Sequence, residues 1–190
     1  ETDLSMPHYM SLNVDIYCNE AFSVSHRNHY SITQIEAPIH CYGLCFVKEI
    51  ETFNMLLKSN GSIITAIIGG SKVSDKMPML EKLSKIVDYI FIAGNNLNSL
   101  EENKPFFDSL VENKAKIIFA EDGFGNNLPS ASPQYIQNIN DMDLKYKIYD
   151  VGPKSLNTLS NLISQSDIVF WNGALGISEH DFYKNGSELL

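Results

Sequence analysis

The stretch SIITAIIGGSKVSDK (residues 62–76) runs apolar, ends in two glycines, and then places lysines at 72 and 76. A short apolar run bounded by glycine reads as a strand buried on both faces. Two cations just after such a strand suggest an anion, most often a phosphate held where a helix begins. A helix is expected directly downstream, because Met79, Leu80, Leu83, Ile86 and Val87 recur at helical spacing. Ser74 is the expected cap and Pro78 lies in the first turn. The spacing is not that of a P-loop, so the stretch alone does not separate phosphate binding from turn chemistry and two solvated lysines.

Outward from this stretch the same alternation continues. DYIFIAG, AKIIFAE and DIVFWNG read as further strands, with Phe106, Phe107, Leu110 and Val111 marking one intervening helix. Leu156, Leu159, Leu162 and Ile163 mark another. Strands separated by helices of this length predict an α/β fold with a parallel sheet flanked by helices. Ligands of such sheets sit at the carboxyl ends of the strands. Three of those ends carry glycine, at Gly69-Gly70, Gly94 and Gly173. Residues 44–58 form an amphipathic helix with Phe46, Val47, Ile50, Phe53 and Leu57 on one face. Residues 123–143, turn-rich and polar, read as a surface loop or insert.

Composition narrows the function classes. The 190 residues carry 14 basic and 23 acidic side chains, a formal net charge of -9. No basic cluster offers a nucleic-acid or anionic-membrane surface. The longest apolar runs are too short to span a bilayer, and the first ten residues lack the pattern of a signal peptide. The absence of an initiator Met suggests a processed product or a piece of something longer. Cys18, Cys41 and Cys45 are an odd number and too few for a disulfide scaffold, which points to a reducing, cytoplasmic setting. HRNH and HCYGLC place His26, His29, Cys41 and Cys45 in an order that a zinc ion could accept. The competing reading is structural histidines and buried thiols, with no bound metal. No G-x-S-x-G elbow supports a serine hydrolase.

Taken together the motifs resemble the phosphoglycerate kinase family. GGSKVSDK (69–76) resembles the family's GG-[AS]-K-V-x-D-K, and DIYCNEAFSVSHRNHYS (15–31) its D-V-[YF]-[VI]-N-D-A-F-G-T-A-H-R-A-H-[SA]-S. YDVGPKS (149–155) resembles L-D-x-G-P-x-[ST], and FWNGALGISE (170–179) resembles V-W-N-G-P-x-G-V-F-E. The four occur in the family's order. The resemblance implies that Lys72 stabilises a phosphoryl group in flight and that Lys76 contacts nucleotide phosphate. It implies Gly94 beside the nucleotide base, Asn172 near the phosphates and Glu179 at the ribose hydroxyls. Arg27, the single arginine of the chain, and His26 beside it fall on the triose-phosphate side, where bidentate phosphate recognition requires an arginine.

The implied cofactor is Mg-ADP or Mg-ATP, the implied substrate 3-phosphoglycerate or its acyl phosphate, and the implied reaction reversible phosphoryl transfer in glycolysis. Residues 1–43 would close the triose-substrate domain, 44–58 would be the interdomain helix, and 59–190 a shortened nucleotide domain. Glu20, Ser23, Val24, Ala93, Asn95, Ala174 and Ser178 depart from the family pattern. The family's G-G-G-D-T loop would lie beyond Leu190, and most of its triose site before Glu1. A partner chain supplying those segments is one expectation, and a non-catalytic relative with an interaction role is the alternative function. Residues 1–190 alone are expected to bind nucleotide weakly and not to turn over.

Overall fold

The computed structural model describes residues 14–58, 61–70, 72–143 and 145–190. The chain divides into two compact units, residues 1–60 and 61–190.

The second unit is built on the predicted apolar runs. Strands β3 (Ile64–Ile68), β4 (Tyr89–Ile92), β5 (Lys116–Phe119) and β9 (Ile168–Asn172) form one parallel sheet in the order β5-β4-β3-β9. Ile68 stands level with Ile92 on one side and Asn172 on the other, so three strands finish at one edge. Every residue of β3 is buried, as a central parallel strand covered on both faces requires. Helices α3 (Met77–Leu83), α4 (Lys104–Ser109) and α5 (Pro153–Ser164) each carry proline in the first turn, where a missing N–H costs nothing. Ile67, Phe91, Leu97, Ile148, Leu159 and Leu175 share one core.

Two readings of the sequence are corrected here. Ser74 does not cap a helix: its hydroxyl turns to the Asp75 carboxylate, and residues 74–76 form a 3-10 turn ahead of α3. Lys76 therefore precedes the helix, as Lys72 does, rather than sitting in its first turn. Residues 123–143 are not simply a loop. β6 (Gly123–Asn126) pairs antiparallel with β7 (Gln134–Ile136) and with β8 (Lys147–Val151). This small sheet forms because Phe124 packs on Tyr135, while the Tyr135 hydroxyl donates to Asp122 at 2.7 Å. Asp122 also accepts the Ser155 hydroxyl and the backbone N–H groups of Lys154 and Ser155 at the start of α5. Burial raises its pKa, but those hydrogen bonds together outweigh it and hold the carboxyl below its usual range.

The first unit is thinner. β1 (Ile16–Asn19) pairs parallel with β2 (Ile39–Tyr42), and all four residues of β2 are exposed. The short helix α1 (Tyr30–Thr33) lies between them, and α2 (Leu44–Lys58) follows with the predicted bounds. Phe46 and Leu56 are buried, whereas Val47 and Phe53 of the expected stripe stay exposed; the Leu57 side chain lies outside the described residues. Glu20 accepts the Phe46 and Cys45 N–H groups at 2.9 and 3.3 Å, which satisfies donors at the exposed start of α2. Among the described residues no helix is long and apolar enough to cross a membrane.

Candidate functional site

The three strand ends are stitched together by their own backbones. Gly69 N–H donates to Asn172 O at 2.9 Å, Gly70 N–H to Ala174 O at 2.7 Å, and Ala93 N–H to Ile68 O at 3.0 Å. The chain can close this way only where side chains are missing. A Cβ on Gly69 would overlap the Ala174 carbonyl oxygen, and one on Gly173 would lie 2.7 Å from Gly69 O and 2.9 Å from Lys76 Nζ. Gly173 also holds φ at +85°, in the left-handed region that glycine enters freely. Gly94 lies at the same junction and is buried.

Lys76 turns back over this junction, and its ammonium donates to the Gly69 carbonyl. The side chain is half-buried. Loss of hydration lowers its pKa below the usual lysine value, with the nearby Asp75 carboxylate opposing the shift. The arrangement is a cation held against a carbonyl at the rim of a parallel sheet. An anion arriving there offers a stronger, charge-assisted partner.

Asn96 completes the junction from below, and the sequence reading missed it. It sits in the 3-10 helix Gly94–Ser99 and is fully buried. Its amide donates to Gly69 O at 2.9 Å and to Ala93 O at 3.2 Å, so Gly69 O is shared between Asn96 and Lys76. Asn96 Oδ1 is buried with no hydrogen-bond partner among the described residues. The sequence shows a pair of asparagines after a strand-end glycine, next to Leu97 of the core, but nothing local marks either one as buried.

The other predicted residues are placed as follows. Asn172 ends β9 and is half-buried, joined to Gly69 through its backbone. Lys72 and Glu179 are exposed, Lys72 following the glycine pair and Glu179 beyond the β9 end. The segment bearing Glu179 is tied down on both sides of that residue. Ile177 N–H donates to Tyr149 O at 3.0 Å, and Gly186 N–H to the Asp150 carboxylate at 2.9 Å. Asp150 is almost wholly buried, and burial pushes its pKa up to about 6 against the pull of the Gly186 and Val151 N–H groups. His26 and Arg27 lie in the first unit, exposed in the turn after the 3-10 helix Phe22–Val24.

The histidine-cysteine set does not close. Among the described residues, no three His, Cys, Asp or Glu side chains come together as a metal site. The thiols of Cys18, Cys41 and Cys45 are exposed, not buried as the structural reading supposed. The space a Cβ would need at Gly69 and Gly173 is taken by neighbouring backbone carbonyls, so what the junction offers an anion is the positive charge of Lys76.

Comparison with known proteins identifies the family. A family model described as phosphoglycerate kinase matches residues 1–190. The chain is 33% identical over 209 aligned residues to a phosphoglycerate kinase of Wolbachia pipientis subsp. Culex pipiens (strain wPip), covering 98% of this chain and 52% of that one. A phosphoglycerate kinase of Mycoplasmoides gallisepticum is 31% identical, covering 91% of this chain and 48% of that protein. The chain thus spans about half the length of these relatives. Among solved structures, phosphoglycerate kinase from Coxiella burnetii superposes with a TM-score of 0.74 at 25% identity, covering 92% of this chain and 50% of that one.

Proposed function

Because the chain belongs to the phosphoglycerate kinase family, we propose that its glycine-lined strand ends bind an adenine nucleotide for reversible phosphoryl transfer between an acyl phosphate of glycerate and ADP. The observation that carries this reading is the junction of Gly69, Gly70 and Gly173 under the Lys76 ammonium. The glycines let the strand ends pack at carbonyl contact, and Lys76 sets its positive charge over them where a phosphate can reach it. In this reading Lys76 exchanges the Gly69 carbonyl for a phosphate oxygen, and Asn96 keeps that carbonyl paired when it does. Gly94 lies beside the base, Asn172 near the phosphates and Glu179 at the ribose. Lys72, on the exposed side, neutralises the phosphoryl group as it passes between donor and acceptor oxygens. Magnesium, when bound, spreads the charge of the nucleotide phosphates.

Arg27 and His26 are the groups of the first unit that would hold the triose phosphate. Transfer requires both reactants aligned, and alignment alone carries roughly 7–11 kcal/mol of such a barrier. Two exposed side chains do not supply it, so residues 1–190 by themselves are expected to bind nucleotide without turning over.

Calorimetric titration with Mg-ADP tests the nucleotide site. Saturable heat that is abolished in a folded Lys76→Ala variant is the expected result, and no heat up to millimolar nucleotide overturns it. A coupled assay is expected to stay at background. Turnover that disappears in Lys72→Ala would contradict the second expectation.

A further inference from the structure

The three cysteines play no part in the proposed reaction, and two of them are brought together by the fold. Cys18 on β1 and Cys41 on β2 are register partners in adjacent parallel strands. Neighbouring strands lie about 4.8 Å apart, and side chains of partnered residues leave the sheet on the same face. That separation falls inside the Cα range that a disulfide spans. The Cys41 thiol already leans across the pair, donating to Tyr17 O on β1 at 3.7 Å. A hydrogen bond with Cys41 raises the Cys18 pKa, with desolvation and the Cys41 and Glu20 charges adding to it. Both thiols are exposed, and Cys41 also lines an open cavity of about 520 Å³ with Tyr17, His40 and Tyr42. Small thiol reagents can reach them.

We propose that Cys18 and Cys41 are a reversible redox pair, closed to a disulfide by a low-molecular-weight disulfide such as oxidised glutathione. One thiolate attacks a glutathione sulfur, releasing one glutathione thiolate and leaving a mixed disulfide. The second cysteine thiolate attacks the protein-bound sulfur and releases the other. Two cysteine thiols are oxidised to one disulfide, one glutathione disulfide is reduced to two glutathione thiols, and the two protons pass to the departing thiolates. Partnered positions of a parallel pair hold their Cβ atoms at about the strand spacing, slightly wider than a relaxed disulfide prefers. Exposed and strained disulfides are the easily reduced class, which suits a pair that opens again in a reducing compartment.

The consequence is local and structural. The loop from residue 18 to residue 41 carries His26 and Arg27. A bond between its two ends would pin the base of that loop and leave the sheet of the second unit untouched. Cys45 is the natural internal control, since it lies on α2 and has no strand partner.

The single arginine gives a decisive test. The full chain is equilibrated with oxidised glutathione, denatured, alkylated to block free thiols, and cut after Arg27 with an arginine-specific protease. Cys18 is the only cysteine in residues 1–27, and Cys41 and Cys45 lie in residues 28–190. The two fragments are expected to stay joined without reductant and to separate with dithiothreitol, in both the wild type and Cys45→Ser. They are expected to separate without reductant in Cys41→Ser and in Cys18→Ser. Each position is exposed, and matching far-ultraviolet spectra of the variants establish that they fold. Fragments that separate in Cys45→Ser, or that stay joined in Cys41→Ser, overturn the assignment. So does a mixed glutathione adduct that persists on Cys41 in the wild type without the cross-link.

Discussion

β3 and β2 are strands of similar length with opposite surroundings. Ile64, Ala66, Ile67 and Ile68 of β3 are at most 2% exposed, while Ile39 and Tyr42 of β2 are 54% and 62% exposed. Burial on both faces leaves β3 no freedom of register, and its end is consequently rigid enough to hold three backbones at carbonyl contact. Among the described residues β2 pairs with one neighbour, and it carries its polar and thiol groups at the surface. The difference teaches where precision can be stored. Close packing of backbones at a strand end needs a buried strand behind it, whereas thiols open to small reagents need an exposed one.

The comparison is broken most forcefully in the core. Ile67→Ala removes a fully buried side chain and is expected to cost the second unit about 4 kcal/mol, within the range for such truncations. Ile39→Ala is expected to change the first unit by no more than about 0.5 kcal/mol. Amide exchange in peptides from β3 and β2 measures both, and equal losses in the two units would remove the distinction.

Next in size are two glycines of the second unit. Gly69→Ala drives a methyl into the Ala174 carbonyl and is expected to cost about 3 kcal/mol and to abolish nucleotide binding. Gly61 has φ at +87° but nothing within 4 Å of a Cβ, so Gly61→Ala is expected to cost about 1 kcal/mol, the left-handed backbone penalty alone. Urea unfolding followed by Trp171 emission separates them. Similar midpoints for the two variants would show that close approach at Gly69 is not needed.

Asp150 sharpens the picture through pH. Its folded pKa of about 6 lies above the ordinary carboxylate value of 3.8, so the folded protein binds more protons between those limits. The resulting stability is present below the unfolded value and is lost as pH rises through about 6. Relative to Asp150→Asn, the wild type is expected to lose about 2 kcal/mol between pH 4 and pH 7. A difference independent of pH would mean that the carboxyl is not held in a dry site at the Gly186 anchor.

The parallel sheet was legible because its strands are apolar runs that end in glycine, and α2 was legible to its bounds. β6 and β7 were not. GFGN and QYI carry little apolar signal, and they pair through one aromatic contact and one tyrosine hydroxyl from distant positions. The strand-end glycines could be read as a site, but Asn96 could not, since nothing local tells that a polar side chain will be fully buried beneath them. The half-buried Lys76 and the exposed Lys72 look alike in sequence; only the fold turns one back onto Gly69 and leaves the other outward.

The exchange of partners at Lys76 is the central claim, and its ammonium can be watched directly. Nuclear magnetic resonance of lysine labelled at the side-chain nitrogen, with the Lys76 signal assigned by its loss in Lys76→Arg, gives the pKa with and without Mg-ADP. The free protein is expected to show a Lys76 pKa below the usual lysine value, because burial disfavours the charge. Saturating Mg-ADP is expected to raise it above that value, as phosphate oxygens replace the Gly69 carbonyl. A Lys76 pKa that stays depressed while nucleotide binds would place the phosphates elsewhere and contradict the site.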